Sequence, residues 1–283
     1  MPLTICQLLA DAEQSLATCC PTARLDAEVL LAFVLNRPRS YLHTWPDTVP
    51  DTSTATTFQK LIQRRRRGEP LAYLTGEQEF WSLPLRVTPA TLIPRPETEI
   101  LVEAVLALLP RHEPCTVADL GTGCGAIALA IASERPHWQV HATDICPQAL
   151  AVARNNAQRL GLTRLRFYLG DWLTALPGQL RFTAIVANPP YVPPNDPHLL
   201  ENGLPFEPQQ ALVAGAGGFA AIESICRHAG RHLTPQGWLL FEHGFDQGPR
   251  CHALLEQCGF VNVRQFQDLS GHVRITGGQH RSL

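Results

Sequence analysis

A chain of 283 residues is long enough for two domains and a sizeable buried core. With 45% hydrophobic and 17% charged residues it is not a disordered chain, and a formal net charge of −2 leaves no basic surplus for nonspecific nucleic-acid binding. No apolar run reaches the roughly 18 residues of a membrane span, and no basic segment precedes an apolar stretch near Met1, so a cytoplasmic location without membrane attachment is expected.

Residues 1–75 carry helical periodicity. Leu8, Leu9, Ala12 and Leu16 share one helix face, and Leu25, Val29, Leu30, Phe33 and Val34 share another on a helix over Asp26 to Leu35. A loop between Trp45 and Ser53 leads to a third helix, Thr54 to Arg67, stopped by Gly68. That helix ends in Arg64-Arg65-Arg66-Arg67. The cluster suits the negative end of the helix dipole, or a contact with RNA or an acidic partner. Leu83 to Val87 alternates as a strand and reads as part of a short hairpin linker over 76–90. Thr98 to Leu109 is the next helix, with Pro96 near its start.

From residue 115 strands and helices alternate. Strands are expected at Thr116–Leu120, Gln139–Thr143, Leu165–Tyr168, Phe182–Ala187, Trp238–Glu242 and Val261–Gln267, the last in the chain. Helices are expected at Ala126–Glu134, Pro147–Leu160, Phe219–His232 and Gln247–Cys258. This pattern predicts an α/β, doubly wound, mostly parallel sheet, with ligands at the carboxyl ends of its strands.

Asp119-Leu120-Gly121-Thr122-Gly123-Cys124-Gly125 joins a strand to a helix. Its glycines admit a ligand close to the backbone, but the spacing G-x-G-x-G differs from the dinucleotide fingerprint. A sulfonium amino acid needs room beside such a turn and an acceptor for its ammonium, from Asp119 or the loop carbonyls. Asp144 ends the next strand, where a carboxylate accepts both ribose hydroxyls. Gly170-Asp171-Trp172 ends the third, with Asp171 placed for an adenine amino group and Trp172 for the ring. Together these residues form an S-adenosyl-L-methionine site, with S-adenosyl-L-homocysteine as product.

Asn188-Pro189-Pro190-Tyr191 follows the strand Ala184 to Ala187. Two prolines remove two N–H donors and leave acceptors, the Asn188 side-chain oxygen and the Pro189 carbonyl. Both can take hydrogens of one planar NH2 group, with Tyr191 against its face. Such a grip directs the nitrogen lone pair and stabilises charge that develops as a methyl arrives. It suits a side-chain amide, and equally the exocyclic amine of adenine in DNA or RNA. The absence of a target-recognition domain and of basic surplus argues against the nucleic-acid alternative. A binding protein that has lost catalysis is a further alternative, which cofactor affinity would decide. A nicotinamide oxidoreductase is disfavoured by the glycine spacing.

The remaining features have bland readings. Nine cysteines without a Cys-x-x-Cys pair read as reduced thiols packed as small apolar residues, and Cys19 and Cys20 cannot both face one core. His228 and His232 stand four apart on an expected helix but lack a third ligand, so no metal is expected.

The chain resembles the peptide chain release factor glutamine methyltransferases, the PrmC/HemK family, along nearly its whole length. The resemblance is carried by Tyr73 to Gly76, Glu79-Phe80, Thr91 to Glu99, Asp119 to Gly125, Asp144, Asp171-Trp172, Asn188 to Tyr191, Phe206-Glu207-Pro208 and Glu242-His243-Gly244. The block Leu92-Ile93-Pro94-Arg95-Pro96-Glu97-Thr98-Glu99 is its most specific part. The resemblance implies a seven-stranded class I, Rossmann-like methyltransferase domain over 91–283 and a helical release-factor-binding domain over 1–75. It implies N5-methylation of the glutamine in the Gly-Gly-Gln motif of class 1 release factors, modulating translation termination; a monomer is expected separately, and the sequence does not fix the oligomeric state. Gly121 to Gly125, Asp144, Trp172 and Asn188 would contact the cofactor. Asn188, Pro189, Pro190 and Tyr191 would contact the substrate glutamine. Arg95 and Glu97 would touch substrate or frame the pocket through salt bridges. The tail itself contains Gly277-Gly278-Gln279, which is expected to run off the last strand rather than to dock in the site.

Overall fold

The computed structural model describes residues 2–201 and 203–281. Two compact units form, one from residues 1–77 with 200–206, the other from 78–199 with 207–283.

The first unit is helical: α1 (Ile5–Leu16), α2 (Ala23–Leu35), α3 (Arg39–Thr44), α4 (Thr52–Arg66) and α5 (Leu71–Thr75). A capping box starts α1. The Thr4 hydroxyl accepts from the Gln7 N–H at 3.3 Å, and the Gln7 side chain accepts from the Thr4 N–H at 3.0 Å. Asp51 caps α4 by accepting from the Thr54 N–H at 2.8 Å. The core joins Leu8, Leu9 and Leu16 to Leu30, Leu31, Phe58 and Leu61. Leu25 and Phe33, assigned from the sequence to the apolar face of α2, are exposed, because Ala27, Leu30 and Leu31 form the face that packs. Cys20 is buried and Cys19 exposed, as adjacent side chains on one turn require. In the arginine cluster, Arg64 pairs with Glu69 and Arg65 with Asp26 at 2.7 Å, whereas Arg66 and Arg67 are exposed.

A hairpin follows, β1 (Glu77–Phe80) and β2 (Leu83–Arg86), turned at Trp81 and Ser82, both with positive φ. Then come α6 (Glu99–Leu108), β3 (Thr116–Leu120), α7 (Ala126–Glu134), β4 (Gln139–Asp144), α8 (Pro147–Arg159), β5 (Leu165–Leu169) and β6 (Phe182–Ala187). After short α9 (Gln209–Leu212) and α10 (Gly215–Gly218) come α11 (Ala220–Ala229), β7 (Leu233–Glu242), α12 (Gly248–Gln257), β8 (Phe260–Gln267) and β9 (Val273–His280). The seven-stranded sheet has the order β5-β4-β3-β6-β7-β9-β8. Its first five strands are parallel, and β9 runs antiparallel to both neighbours. The expected α/β sheet of seven strands, preceded by a small helical N-terminal region, is therefore present.

Chain order reverses between β3 and β6, the switch point where ligands sit on open α/β sheets. Register fixes what lies there. Leu120 pairs with Ala187 and with Thr143, and Ala187 pairs with Phe241. The next residues on these strands are Gly121, Asn188, Asp144 and Glu242. These strand ends deliver the glycine loop, the acceptor motif and two carboxylates to one edge of the sheet.

Three sequence expectations are corrected. Val261–Gln267 is not the last strand, because β9 follows and inserts between β7 and β8. Gly277-Gly278-Gln279 therefore lies inside the sheet instead of running off it. Gly277 faces Leu240 and Arg264 across the ladders. A Cβ on Gly277 would fall 2.9 Å from Leu240 Cγ, and one on Gly278 would fall 2.8 Å from Phe260 Cβ. The glycines are the absence of side chain that lets neighbouring side chains pack across the strand, which a loop-like sequence disguises. Likewise the helix expected to reach His232 ends at Ala229, so His228 and His232 do not share it.

Candidate active site

A cavity of about 340 Å³ opens at the switch point, within the range of about 300–1,000 Å³ common for small-molecule sites. Gly121, Thr122, Gly123, Cys124, Asp144, Asp171, Trp172, Asn188 and Pro190 line it, together with Thr91, Leu92, Pro94 and Thr98 of the proline-rich block. Asp119, Gly125, Pro189, Tyr191 and Arg95 do not.

The glycine loop is held from both sides. The Thr122 N–H donates to the Thr143 carbonyl at 2.8 Å, and the Gly123 N–H donates to Asp144 Oδ2 at 2.8 Å. Gly121, Gly123 and Gly125 all have positive φ, which only glycine adopts without strain. A Cβ on Gly121 would fall 2.8 Å from Trp172 Cζ3, so the indole rests directly on this glycine. Trp172 itself has φ +40°, a strained backbone of the kind found at functional sites. Asn156 ties the loop to the hairpin: its Nδ2 donates to the Cys124 and Arg86 carbonyls, each at 2.9 Å, and its Oδ1 accepts from the Arg86 N–H.

Asp144 Oδ1 accepts from the Cys146 N–H at 2.8 Å. Each carboxylate oxygen keeps a further lone pair, so two acceptors remain for paired hydroxyls. Burial raises the Asp144 carboxyl from its ordinary range.

Asp119 has a different place from the one its sequence position suggests. It is fully buried, its Oδ2 accepting from the Thr122 hydroxyl at 2.6 Å and the Ala128 N–H at 3.2 Å. It braces the loop from within the core. Burial pushes its carboxyl up to about 7, against the pull of those two donors. An unfolded aspartate titrates near 3.9, roughly, so between these values the folded state keeps a proton that the unfolded state has lost. Measured against Asp119→Asn, the stability of the parent is expected to fall as pH rises from about 4 to about 7 and to level above that. Denaturant midpoints for the two proteins across this range check it. A pH-independent difference would show Asp119 titrating alike in both states.

At the β6 end, Asn188 Nδ2 donates to Thr98 Oγ1 at 3.2 Å. The Thr98 hydroxyl donates to Glu242 Oε2 at 2.7 Å, and the Tyr191 hydroxyl to Glu242 Oε1 at 3.1 Å. Glu242 is 2% exposed, and burial raises its carboxyl. Burial, then Glu242, push the Tyr191 phenol far above its ordinary value, so it stays a donor. Among the described residues no donor reaches Asn188 Oδ1. Arg95 is held by the buried Glu207, whose other oxygen accepts from the Ile93 N–H at 3.0 Å. That pairing fixes the proline-rich block against residues more than a hundred positions later.

Two family models match the sequence, PrmC N-terminal domain over residues 7–76 and methyltransferase small domain over 97–200. The release factor glutamine methyltransferase of Pseudomonas aeruginosa is 51% identical over 276 residues, covering 98% of both chains. The chain belongs to the release factor glutamine methyltransferase family. The family's Vibrio cholerae member is 50% identical over 260 residues, 91% of this chain and 90% of that one. Among solved structures, a T. thermophilus 16S rRNA N2 G1207 methyltransferase shares the fold, with TM-score 0.55 and 18% identity over 72% of this chain and 50% of that one.

Sequence reasoning missed Thr98, Glu207 and Glu242 as parts of the site. All three stand in blocks that carry the family resemblance, but spacing alone gives no sign that residues up to 144 positions apart meet. No described helix is long and apolar enough to cross a membrane.

Proposed function

We propose that the chain transfers a methyl group from S-adenosyl-L-methionine to the side-chain amide N5 of the glutamine in the Gly-Gly-Gln motif of class 1 peptide chain release factors. The observation that supports this most is the orientation of Asn188. With its Nδ2 given to Thr98, its oxygen accepts from no donor among the described residues, and the residue lines the cavity.

The residues present suit the cofactor. The cavity volume, the glycine cradle that a Cβ would fill, and a carboxylate with two remaining acceptor positions match a nucleoside bearing a charged amino-acid arm. Asp144 would take the ribose hydroxyls, Asp171 the adenine amino group, Trp172 the ring, and the loop carbonyls the ammonium. When bound, the cofactor supplies an electrophilic methyl group.

The chain's own part is to present the nucleophile. An amide nitrogen is weak because its lone pair is delocalised. Asn188 Oδ1 and the Pro189 carbonyl each accept one of its hydrogens, which holds the group's plane and stabilises the charge it gains. Tyr191 provides an aromatic wall. One hydrogen then leaves as a proton, through the Asn188 oxygen to water. The exposed Phe33, Trp45, Val49, Arg66 and Arg67 of the helical unit offer apolar and cationic contacts for the release factor.

The test is to incubate the full chain and cofactor with a class 1 release factor, and separately with adenine-containing nucleic acid. Peptide mass spectrometry is expected to find one methyl on the Gly-Gly-Gln glutamine. Methylation confined to the nucleic acid would overturn the reading.

A further inference from the structure

Resting on that reading, we propose that Thr98 and Glu242 are positioning residues, forming a relay that locks the Asn188 amide in the orientation with its oxygen toward the acceptor nitrogen. An amide side chain has two faces of nearly equal shape and opposite hydrogen-bonding character. Turned over, Asn188 would present an NH2 to the substrate NH2, and the grip would fail. Something must therefore choose the face, and Asn188 cannot do so alone.

The choice follows from proton counting. Both Glu242 oxygens accept hydroxyl hydrogens, from Thr98 and Tyr191, as an ionised carboxylate does. Glu242 Oε2 takes the single hydroxyl hydrogen of Thr98 at 2.7 Å. The Thr98 oxygen is then left only as an acceptor, and its neighbour at 3.2 Å must be the Asn188 nitrogen. The flipped amide would set oxygen against oxygen here. An unmet buried partner of this kind disfavours that state by roughly ten- to a hundredfold.

Glu242 Oε1 takes the Tyr191 hydroxyl at 3.1 Å. One buried carboxylate thus orients both the acceptor oxygen and the aromatic wall. The fold provides the alignment, since Ala187 pairs with Phe241 and so brings Asn188 beside Glu242. Thr98 arrives from the short 3-10 turn Pro96–Thr98 before α6. The most family-specific block of the sequence therefore has a chemical task at Thr98, besides lining the cavity.

Thr98→Val keeps the shape and removes the oxygen, and Thr98→Ser restores it. With a release factor as acceptor, Thr98→Val is expected to lower kcat by roughly ten- to a hundredfold, with cofactor Kd within about threefold of the parent, and Thr98→Ser to recover most of the rate. Glu242→Gln is expected to lower kcat at least about tenfold, because its NH2 must face one of the two hydroxyls and reverse it. A Thr98→Val rate within about threefold of the parent overturns the relay, as does an equal loss in Thr98→Ser or a parallel loss of cofactor affinity. The side-chain amide resonances of Asn188, assigned with Asn188→Asp, give a readout independent of activity. They are expected to shift in Thr98→Val, and unshifted resonances overturn the relay. A parent enzyme that leaves the release factor unmodified would instead overturn the proposed function, and those resonances would still decide the relay.

Discussion

Asn188→Ala is expected to lower methyl transfer to a release factor by about 10²–10³-fold or more while cofactor affinity stays within about tenfold of the parent. The lower figure is what removing one preorganised hydrogen-bonding group from a transition-state site costs elsewhere. Here the loss also frees the acceptor amide to rotate, so near-attack alignment is lost as well. The backbone carbonyl of Pro189 remains in the variant and maintains part of the grip. Single-turnover transfer at saturating cofactor, with calorimetric titration of the cofactor, separates the two effects. Transfer close to the parent rate would remove Asn188 from the chemistry. Equal loss of both quantities would place it in the cofactor site alone.

Asp144→Ala is expected to raise the cofactor Kd by about 10²-fold or more. Two hydrogen bonds from hydroxyls to an ionised group contribute roughly 1.5–3 kcal/mol each, and about 1.4 kcal/mol is tenfold in affinity. The substitution also deprives the Gly123 and Cys146 N–H groups of their acceptor, which loosens the glycine loop. Because Asp144 lies on the cofactor side of the cavity, transfer at saturating cofactor is expected to recover toward the parent. Asp144→Asn, which keeps an acceptor oxygen, is expected to fall between. An unchanged Kd in Asp144→Ala would assign the ribose to another group.

The sequence carried most of the strand ends because a buried parallel strand is an apolar run that stops abruptly at a polar or glycine residue. Leu120-Gly121 and Ala187-Asn188 have that form, whereas the β4 end is marked only by Asp144 after Thr143. What it concealed had physical reasons. β9 reads as a loop because its two glycines are selected by neighbouring Leu240 and Phe260, not by its own backbone preference. Asp119 looked like a ligand group because it precedes the glycine loop, yet its Oδ2 is directed at Thr122 and Ala128 beneath that loop. Arg95 is ambiguous in the sequence because its partner, Glu207, stands 112 positions away. Glu242 ends an apolar strand much as Asp144 does. Only the pairing of β6 with β7 distinguishes its role, turning it toward hydroxyls instead of a ligand.

The place of β9 bears on how the catalytic unit is made. Strands β7 and β8 do not pair with each other; each pairs with β9, which is translated after both. While a ribosome is still producing residues 243–272, β7, the strand that ends in Glu242, therefore has an open edge. Unpaired apolar edges of this sort recruit other chains. The nascent enzyme has a window in which most of its sheet can form but its acceptor side is unsupported, and chaperone dependence during synthesis should be concentrated there.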